Sequence, residues 1–148
     1  MSITPVVLVQ INANPIRIMA KPKITWKMLS WGRYTVWDRS DKALPEVQEF
    51  TETIPAIPGV EFGYILQIKK ARGKQIHFTI EHPPFPDESS NPTPAFEGDV
   101  YVRSNDWQFF LGDTVWEPVS DKCGPWRLIV ELDDEIMADK TFIVVKEV

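Results

Sequence analysis

Proline and glycine interrupt this chain throughout its length. Its 148 residues include 13 prolines and 7 glycines, and no segment of ten or more residues shows helical periodicity without one of them. Proline lacks a backbone donor and fixes its own φ angle, and glycine weakens the interior of a helix. The sequence therefore predicts a protein built from short strands and turns.

The clearest strand pattern lies near the C-terminus. Four apolar residues alternate along one predicted strand and share one of its faces: Trp126, Leu128, Val130 and Leu132. After the acidic turn 133–135, Phe142 and Val144 repeat the alternation. A period of two on both sides of a polar turn is typical of a β-hairpin with one buried face.

A second alternating pattern occupies the middle of the chain. Apolar residues alternate on both sides of the loop 70–73. Before the loop they are Phe62, Tyr64, Leu66 and Ile68, and after it they are Ile76, Phe78 and Ile80. Two alternating runs joined by a short loop predict a hairpin. Residues 99–103 and 107–111 predict a further hairpin by the same reasoning, and 114–119 predicts one more strand.

The start of the main domain is predicted from composition. Residues 31–37 are rich in aromatic and β-branched side chains, which suit a strand. The preceding residues, 1–28, are predicted to form an N-terminal extension with a β-hairpin formed by 3–11 and 16–20. The segment 54–59 contains two prolines and predicts a stiff connector.

The strand count predicts the fold class. About eight short strands separated by turns, without helices to cover a parallel sheet, favour an all-β fold. We predict an antiparallel immunoglobulin-like β-sandwich over residues 29–148. A chain of this length buries enough surface to form one core without disulfides or metal ions.

Cysteine content and hydropathy indicate the compartment. A single cysteine, Cys123, excludes an intrachain disulfide. No apolar run approaches the roughly 18 residues that span a membrane. The apolar patch Val6-Val7-Leu8-Val9 has neither the preceding positive charge nor the small-residue cleavage site of a secretory signal. We therefore expect a cytoplasmic protein.

Charge is distributed unevenly along the chain. Residues 1–45 hold seven Lys and Arg against two acidic residues, whereas the remainder holds nine against nineteen. An acidic body argues against nucleic-acid binding, which depends on clustered basic residues that neutralise phosphates. We expect the basic N-terminal segment to dock on the acidic body or on a second subunit.

Several fragments together resemble a known family. They are Trp31-Gly32-Arg33-Tyr34, the connector and strand start 53–63, Glu81-His82-Pro83-Pro84, and the terminal Gly124-Pro125-Trp126 with Phe142-Ile143-Val144. In this order they resemble the bacterial family catalogued as domain of unknown function 3859, over about residues 29–146. The resemblance implies no activity. The Gly-Pro-Trp step departs from the direct Gly-Trp step that the family pattern leads us to expect.

The six tryptophans are compatible with two interpretations. Exposed indole rings stack on sugars or line protein interfaces, whereas buried rings build the core. Trp126 and Trp107 fall on alternating apolar faces and are predicted to be core residues. Trp31 and Trp37 have the same strand parity and are predicted to share a face, and Trp116 lies near a strand end. These last three are candidate ligand-binding residues.

The other candidate ligand-binding residues are His77, Glu81 and His82, which precede or begin the proline-rich loop 82–94. His77 and Glu81 share a face but lie about 13 Å apart along a strand at ~3.3 Å per residue, so they cannot share a proton or a metal ion unaided. No His, Cys and carboxylate set has zinc spacing, and no phosphate-binding loop or serine nucleophile motif occurs. We expect no metal, cofactor or catalytic residue.

Two functions follow from these observations. The first is a non-enzymatic protein interaction or assembly module, whose partner is another protein or a second copy of the chain. Its basis is the apolar, basic N-terminal segment, which has the strand character needed to add to the edge of a neighbour's sheet. The alternative is a carbohydrate- or small-ligand-binding module that uses exposed tryptophans and the proline-rich loop.

Overall fold

The protein forms two β-sheets that face each other across a main hydrophobic core. A computed structural model describes residues 23–38, 40 and 42–147. Within these residues the only helix is a single 3-10 turn, Val119–Asp121, and nine strands form the regular structure. The predicted all-β sandwich is confirmed, whereas the predicted N-terminal hairpin lies outside the described residues.

The nine strands divide into two sheets. In chain order they are β1 (Thr25–Tyr34), β2 (Val47–Glu49), β3 (Thr53–Pro55), β4 (Glu61–Lys69), β5 (Gln75–Glu81), β6 (Phe96–Tyr101), β7 (Asp106–Thr114), β8 (Gly124–Leu132) and β9 (Glu135–Val145). One sheet has the order β2-β1-β4-β7 and the other the order β3-β9-β8-β5-β6. Only the short pair β3–β9 is parallel.

The C-terminal hairpin forms as its alternation predicts. β8 and β9 pair antiparallel from Gly124 opposite Val144 to Leu132 opposite Glu135. Trp126, Phe142 and the other alternating apolar residues are buried. The hairpin also tolerates the Gly-Pro-Trp step, because Gly124 and Pro125 belong to β8 and pair with β9.

The two other predicted hairpins are wrong. β4 pairs with β1 and β7, whereas β5 pairs with β8 and β6, so β4 and β5 belong to opposite sheets. The connection 70–74 crosses the sandwich, and the connection from β6 to β7 crosses it in the same way. In each of the two predicted hairpins, both strands direct alternate apolar residues into the core between the sheets. Alternation identifies the buried face of a strand but does not identify its neighbour.

The boundaries of three segments also differ from the sequence prediction. β1 begins at Thr25, so the predicted domain boundary at residue 28 falls inside a strand that pairs with β4 along its length. The segment 114–119 is not a separate strand, since β7 ends at Thr114 and the chain turns before Pro118, which has no N–H for strand pairing. Part of the predicted connector, Thr53–Pro55, is strand β3.

The core joins the two sheets through aromatic rings. The ring of Phe62 on β4 lies 5.6 Å from the ring of Trp126 on β8 and 5.8 Å from that of Phe142 on β9. The hydroxyl of Tyr64 donates to the carbonyl of Leu128 at 2.8 Å, again across the sandwich. Burial raises the pKa of Tyr64 well above its usual value, so this hydroxyl remains a donor.

A second, smaller cluster covers the outer face of the first sheet. It contains Tyr34, Ile65 and Phe110, and the half-buried Trp37 and Leu44 pack against it. Ile65 alternates with the core residues on either side of it and therefore points away from the main core. The segment after β1 folds back over this face, which is why the first sheet is apolar on both sides.

We expect Leu128→Ala to lower the free energy of unfolding by about 2–5 kcal/mol, because Leu128 is fully buried at the centre of β8 and its truncation leaves a cavity. The matched control is Ile143→Ala on the neighbouring β9, where the side chain is 41% exposed and the expected change is below about 1 kcal/mol. Urea denaturation measures both. Equal losses would contradict the position of the core between the sheets.

Candidate functional site

His77 bridges two carboxylates on the outer face of the second sheet. Its Nδ1 lies 2.9 Å from Asp99 Oδ1, and its Nε2 lies 3.0 Å from Glu97 Oε1. Asp99 is directly opposite His77 on the neighbouring β6. The hydrogen bond to Asp99, followed by that to Glu97, raises the pKa of His77 above its usual value near 6.5. His77 therefore links β5 to β6 most strongly when it is protonated.

Glu81 has different partners from His77. It lies 3.6 Å from the guanidinium of Arg127, opposite it on β8. Arg127 also binds Asp139 of β9 through two nitrogens, at 2.8 and 2.6 Å, and this pairing lowers the pKa of Asp139. The exposed face of the sheet thus carries a row of ion pairs, which are typical of a solvated surface.

His82 lies inside an aromatic cluster at one end of the sandwich. Its ring is 4.5 Å from Phe85, 4.6 Å from Phe96 and 5.5 Å from Trp126. Both ring nitrogens lie 2.8 Å from backbone carbonyl oxygens, those of Pro83 and Pro94. His82 therefore fixes the two ends of the proline-rich loop against the core.

Trp116 extends this cluster to the surface. It is 36% exposed, and its ring packs edge-on against Phe85 at 5.4 Å and Trp126 at 6.0 Å. Beside it is an open cleft of about 510 Å³, which we call the Trp116 cleft. Its lining residues are Phe85, Pro86, Asp87, Glu88, Thr93, Phe96, Trp116, Pro118, Asp121 and Lys122. Two of the predicted site residues lie at the cleft. Trp116 lines it, and His82 packs against Phe85 and Phe96, which also line it.

A buried lysine supports the floor of the Trp116 cleft. Lys122 is 2% exposed, and its Nζ binds the carbonyl of Pro118 at 3.0 Å and the carboxylate of Asp121 at 2.5 Å. The same ammonium lies 4.7 Å from the ring centre of Phe85 and 4.6 Å from that of Trp116. Such cation–π contacts strengthen when the cation is removed from water. Lys122 therefore holds the two rings in place.

Trp31 and Trp37 do not share a face, contrary to the prediction. Trp31 packs against the main core, with its ring 4.8 Å from Phe50 and the ammonium of Lys140 5.0 Å above it. Trp37 belongs to the outer cluster, where its ring lies 5.1 Å from Phe110. Because β1 ends at Tyr34, strand parity does not extend to Trp37. Neither lies at the Trp116 cleft.

The free edge of β7 is a second candidate surface. Among the described strands, β7 pairs only with β4 and ends the first sheet. A cleft of about 260 Å³ lies beside it, which we call the β7 cleft. Its lining residues are Trp37, Phe78, Ile80, Phe109, Phe110, Leu111, Gly112 and Asp113. Phe78 reaches this position because its ring lies over Gly98, where a Cβ would come within 2.7 Å of it.

Two kinds of feature are absent from the described part of the chain. No group of three or more His, Cys, Asp or Glu side chains there is arranged to hold a metal ion. No helix among residues 23–38, 40 and 42–147 has the length and apolar character required to cross a membrane.

Two facing sheets of four and five strands, closed by a buried aromatic core, define an immunoglobulin-like β-sandwich. The chain belongs to the family described as Domain of unknown function (DUF3859), which matches residues 22–144. The resemblance inferred from the sequence fragments is thereby confirmed, and the match begins near the start of β1. A comparison with curated proteins returned no match.

A solved structure with a TM-score above 0.5 supports the fold. An immunoglobulin-like protein from Pseudomonas aeruginosa superposes with a TM-score of 0.67 at 20% identity, covering 85% of this chain and 99% of that protein. Two structures of a β-glucosidase from Listeria innocua, in complex with glucose and gluconolactone, give TM-scores of 0.44 and 0.41 at 11% and 12% identity. They cover 82% of this chain but only 16% of the enzyme, and similarity at this level carries no functional argument.

Sequence reasoning missed several residues of the Trp116 cleft. Phe85 and Phe96 lie at the two ends of the proline-rich loop, and nothing in their local pattern indicates that they meet. Lys122 gave no signal, because lysine is almost always exposed unless it is paired. Asp99 and Glu97 could have been found as partners of His77 only with the pairing of β5 and β6 known.

We expect Asp121→Ala to lower the free energy of unfolding by about 1–3 kcal/mol, because it leaves the buried ammonium of Lys122 without its charged acceptor. Glu88→Gln on the exposed rim is the control and should stay within about 0.5 kcal/mol of the parent. Denaturation monitored by tryptophan fluorescence measures both. An unchanged Asp121→Ala variant would show that Lys122 finds another partner.

We expect the pKa of His77 in the folded protein to lie above 6.5 and to fall towards that value in Asp99→Asn. The stabilisation from His77 should be complete below about pH 6.5 and lost as the pH rises through the folded pKa, because a raised pKa favours folding while the imidazole is charged. NMR titration measures the pKa, with His77→Gln to assign the resonance and Asp106→Asn in the other sheet as control. A pKa at or below 6.5 in the parent protein contradicts this assignment.

Proposed function

We propose that this domain is a non-enzymatic assembly module that binds an extended segment of a second copy along the edge of β7 that faces away from β4. One observation carries the proposal: β7 is nine residues long and, among the described strands, pairs on one side only. Apart from Gly112 and Asp113, which have other contacts, the outer backbone groups of such an edge are a template for another strand. The other sheet edges are shorter, at three residues for β2 and β3 and six for β6.

The β7 cleft supports this proposal because it would receive side chains of the added strand. A strand that pairs with β7 directs alternate side chains towards each face of the sheet. On the inner side, Phe78 and Phe109 line the cleft with apolar surface, and on the outer side Phe110 does the same. Main-chain hydrogen bonds would then provide affinity, and the cleft would select apolar residues at alternate positions.

The proposed occupant is Val6–Ile11 of the second copy. These six residues contain no charge and are mainly β-branched or aliphatic, as a strand that enters an apolar cleft requires. The described chain begins beside Thr25, which pairs with Lys69, and Lys69 pairs with Asp106 at the start of β7. The described part of the chain therefore begins about 10 Å, or two strand spacings, from the proposed edge. Exchange of such a segment between copies is a low-cost route to a dimer.

A non-enzymatic role is part of the proposal. It is supported by the contacts of both histidines, because all four ring nitrogens already lie within hydrogen-bonding distance of protein oxygens. The nitrogens of His77 face two carboxylates, and those of His82 face two backbone carbonyls. A general base requires a nitrogen within hydrogen-bonding reach of a substrate. In the described part of the chain, neither histidine offers one.

We expect the full chain to form concentration-dependent dimers in light scattering and a chain beginning at residue 23 to remain monomeric. Circular dichroism and thermal unfolding of the shorter chain establish that it is folded. Hydrogen exchange supplies the second readout, since β7 amides not bonded to β4 should be protected in the full chain and exchange rapidly in the shorter one. A monomeric full chain with protected β7 amides would place the segment on its own domain and overturn assembly.

A charge placed within the segment tests the same proposal without truncation. Val7→Asp with Val9→Asp should abolish the dimer, because pairing with β7 would place both carboxylates against apolar surface without a charged partner. Ser2→Asp with Thr4→Asp adds the same charge before the segment and should leave the dimer intact. If both double variants dissociate equally, net charge rather than strand pairing controls association.

A further inference from the structure

We propose that the Trp116 cleft binds an arginine-bearing apolar segment of a partner protein, independently of the assembly proposed for β7. The chemistry of its wall and rim points to such a ligand. The wall is apolar and includes the rings of Phe85, Phe96 and Trp116, whereas the open rim carries Asp87 and Glu88. Aromatic surface beside carboxylates suits a guanidinium, which stacks on a ring while its edge binds a carboxylate.

The balance of charge at the cleft leaves the rim negative. Of the three acidic residues that line it, Asp121 is paired with Lys122. Asp87 accepts hydrogen bonds from the backbone N–H groups of Ser89 and Asn91 through Oδ1, and these uncharged donors do not neutralise its carboxylate. Glu88 is exposed. The rim therefore retains about two negative charges, which attract a cation and repel an anion.

Lys122 demonstrates the preference of these rings for a cation. Its ammonium already lies over both Phe85 and Trp116 from inside the protein. Because Lys122 is buried, it is not available to bind an anionic ligand in the cleft. The accessible part of Trp116 remains for an external group, which also meets Pro86 and Pro118.

The cleft has the fixed geometry that a binding site requires. Two backbone contacts hold the proline-rich loop. They are an isolated antiparallel β-bridge between Pro86 and Pro92 and the hydrogen bond from Thr93 N–H to the carbonyl of Phe85. A preformed site loses little conformational entropy when a ligand binds. The cleft lies at the Thr114 end of β7, whereas the described chain begins near the Asp106 end. We assign the ligand to a separate protein, and a second copy of this chain is an outcome of the test.

The test is a titration of the full chain with three capped peptides that differ only in the central residue: acetyl-Leu-Arg-Leu-amide, acetyl-Leu-Gln-Leu-amide and acetyl-Leu-Glu-Leu-amide. The readout is the indole N–H resonance of Trp116 in ¹⁵N NMR spectra, assigned with Trp116→Phe. We expect saturable shifts with the arginine peptide, weaker shifts with the glutamine peptide and none with the glutamate peptide. No saturable shift with the arginine peptide, or equal shifts with all three, overturns the proposal.

Variants of the cleft separate charge from packing. Glu88→Gln should weaken binding of the arginine peptide about two- to fivefold, as expected for an exposed ion pair. Glu88→Lys should reverse the preference towards the glutamate peptide. Glu135→Lys, at the exposed first residue of β9, is the control for net charge and should leave the preference unchanged. Trp116→Ala should weaken binding about tenfold through loss of stacking. If the Trp116→Ala variant fails to fold, the two Glu88 variants still test the proposal.

Two further outcomes would replace the proposed ligand. Shifts of Trp116 with maltotriose or cellotriose, and none with the arginine peptide, would identify the cleft as a carbohydrate site. A concentration-dependent change at Trp116 in the peptide-free protein, abolished by Arg17→Gln, would identify the occupant as a second copy of this chain. Either result overturns the assignment to a partner protein.

Discussion

The packing of Trp126 is the interaction on which the rest of the structure depends. The residue is 1% exposed, its ring lies 5.6 Å from Phe62 of the opposite sheet, and its Nε1 donates to the carbonyl of Lys122 at 2.8 Å. Its ring also supports His82 and Trp116 at 5.5 and 6.0 Å. The same side chain thus joins the two sheets and packs behind Phe85 and Trp116, two lining residues of the Trp116 cleft. A change that moves Trp126 must alter both the stability of the fold and the shape of the cleft.

Lys122 explains why the segment after β7 has a fixed shape without being a strand. A buried ammonium is strongly unfavourable unless it is paired and hydrogen-bonded. Here the carbonyl of Pro118 and the carboxylate of Asp121 supply the bonds, and both belong to the turn that precedes Lys122. These polar contacts hold the turn around Pro118, whereas Val115 is held by backbone hydrogen bonds with Gly59 and Val60. Satisfying one buried charge therefore orders the second half of the segment.

The sequence predicts which faces of the strands are buried much better than which strands are neighbours. Alternation correctly places Trp126 and Phe142 in the core, because the period of two is a local property. It also gave β4 and β5 as a hairpin, since strands from opposite sheets direct the same pattern into one core. The cleft was less predictable still. Trp116 and His82 were candidates individually, but their joining through Phe85 depends on how the proline-rich loop folds back.

The two proposed surfaces follow each other along the chain, because β7 ends only two residues before Trp116. They would nevertheless recognise their ligands by different physical means. Pairing at the β7 edge uses backbone hydrogen bonds and apolar side chains, neither of which is weakened much by salt. Binding at the Trp116 cleft uses exposed carboxylates, whose attraction is screened within about 10 Å at 0.1 M salt. Rising ionic strength should therefore weaken binding at the cleft more than pairing at the β7 edge, so the two proposed surfaces would differ in their response to salt.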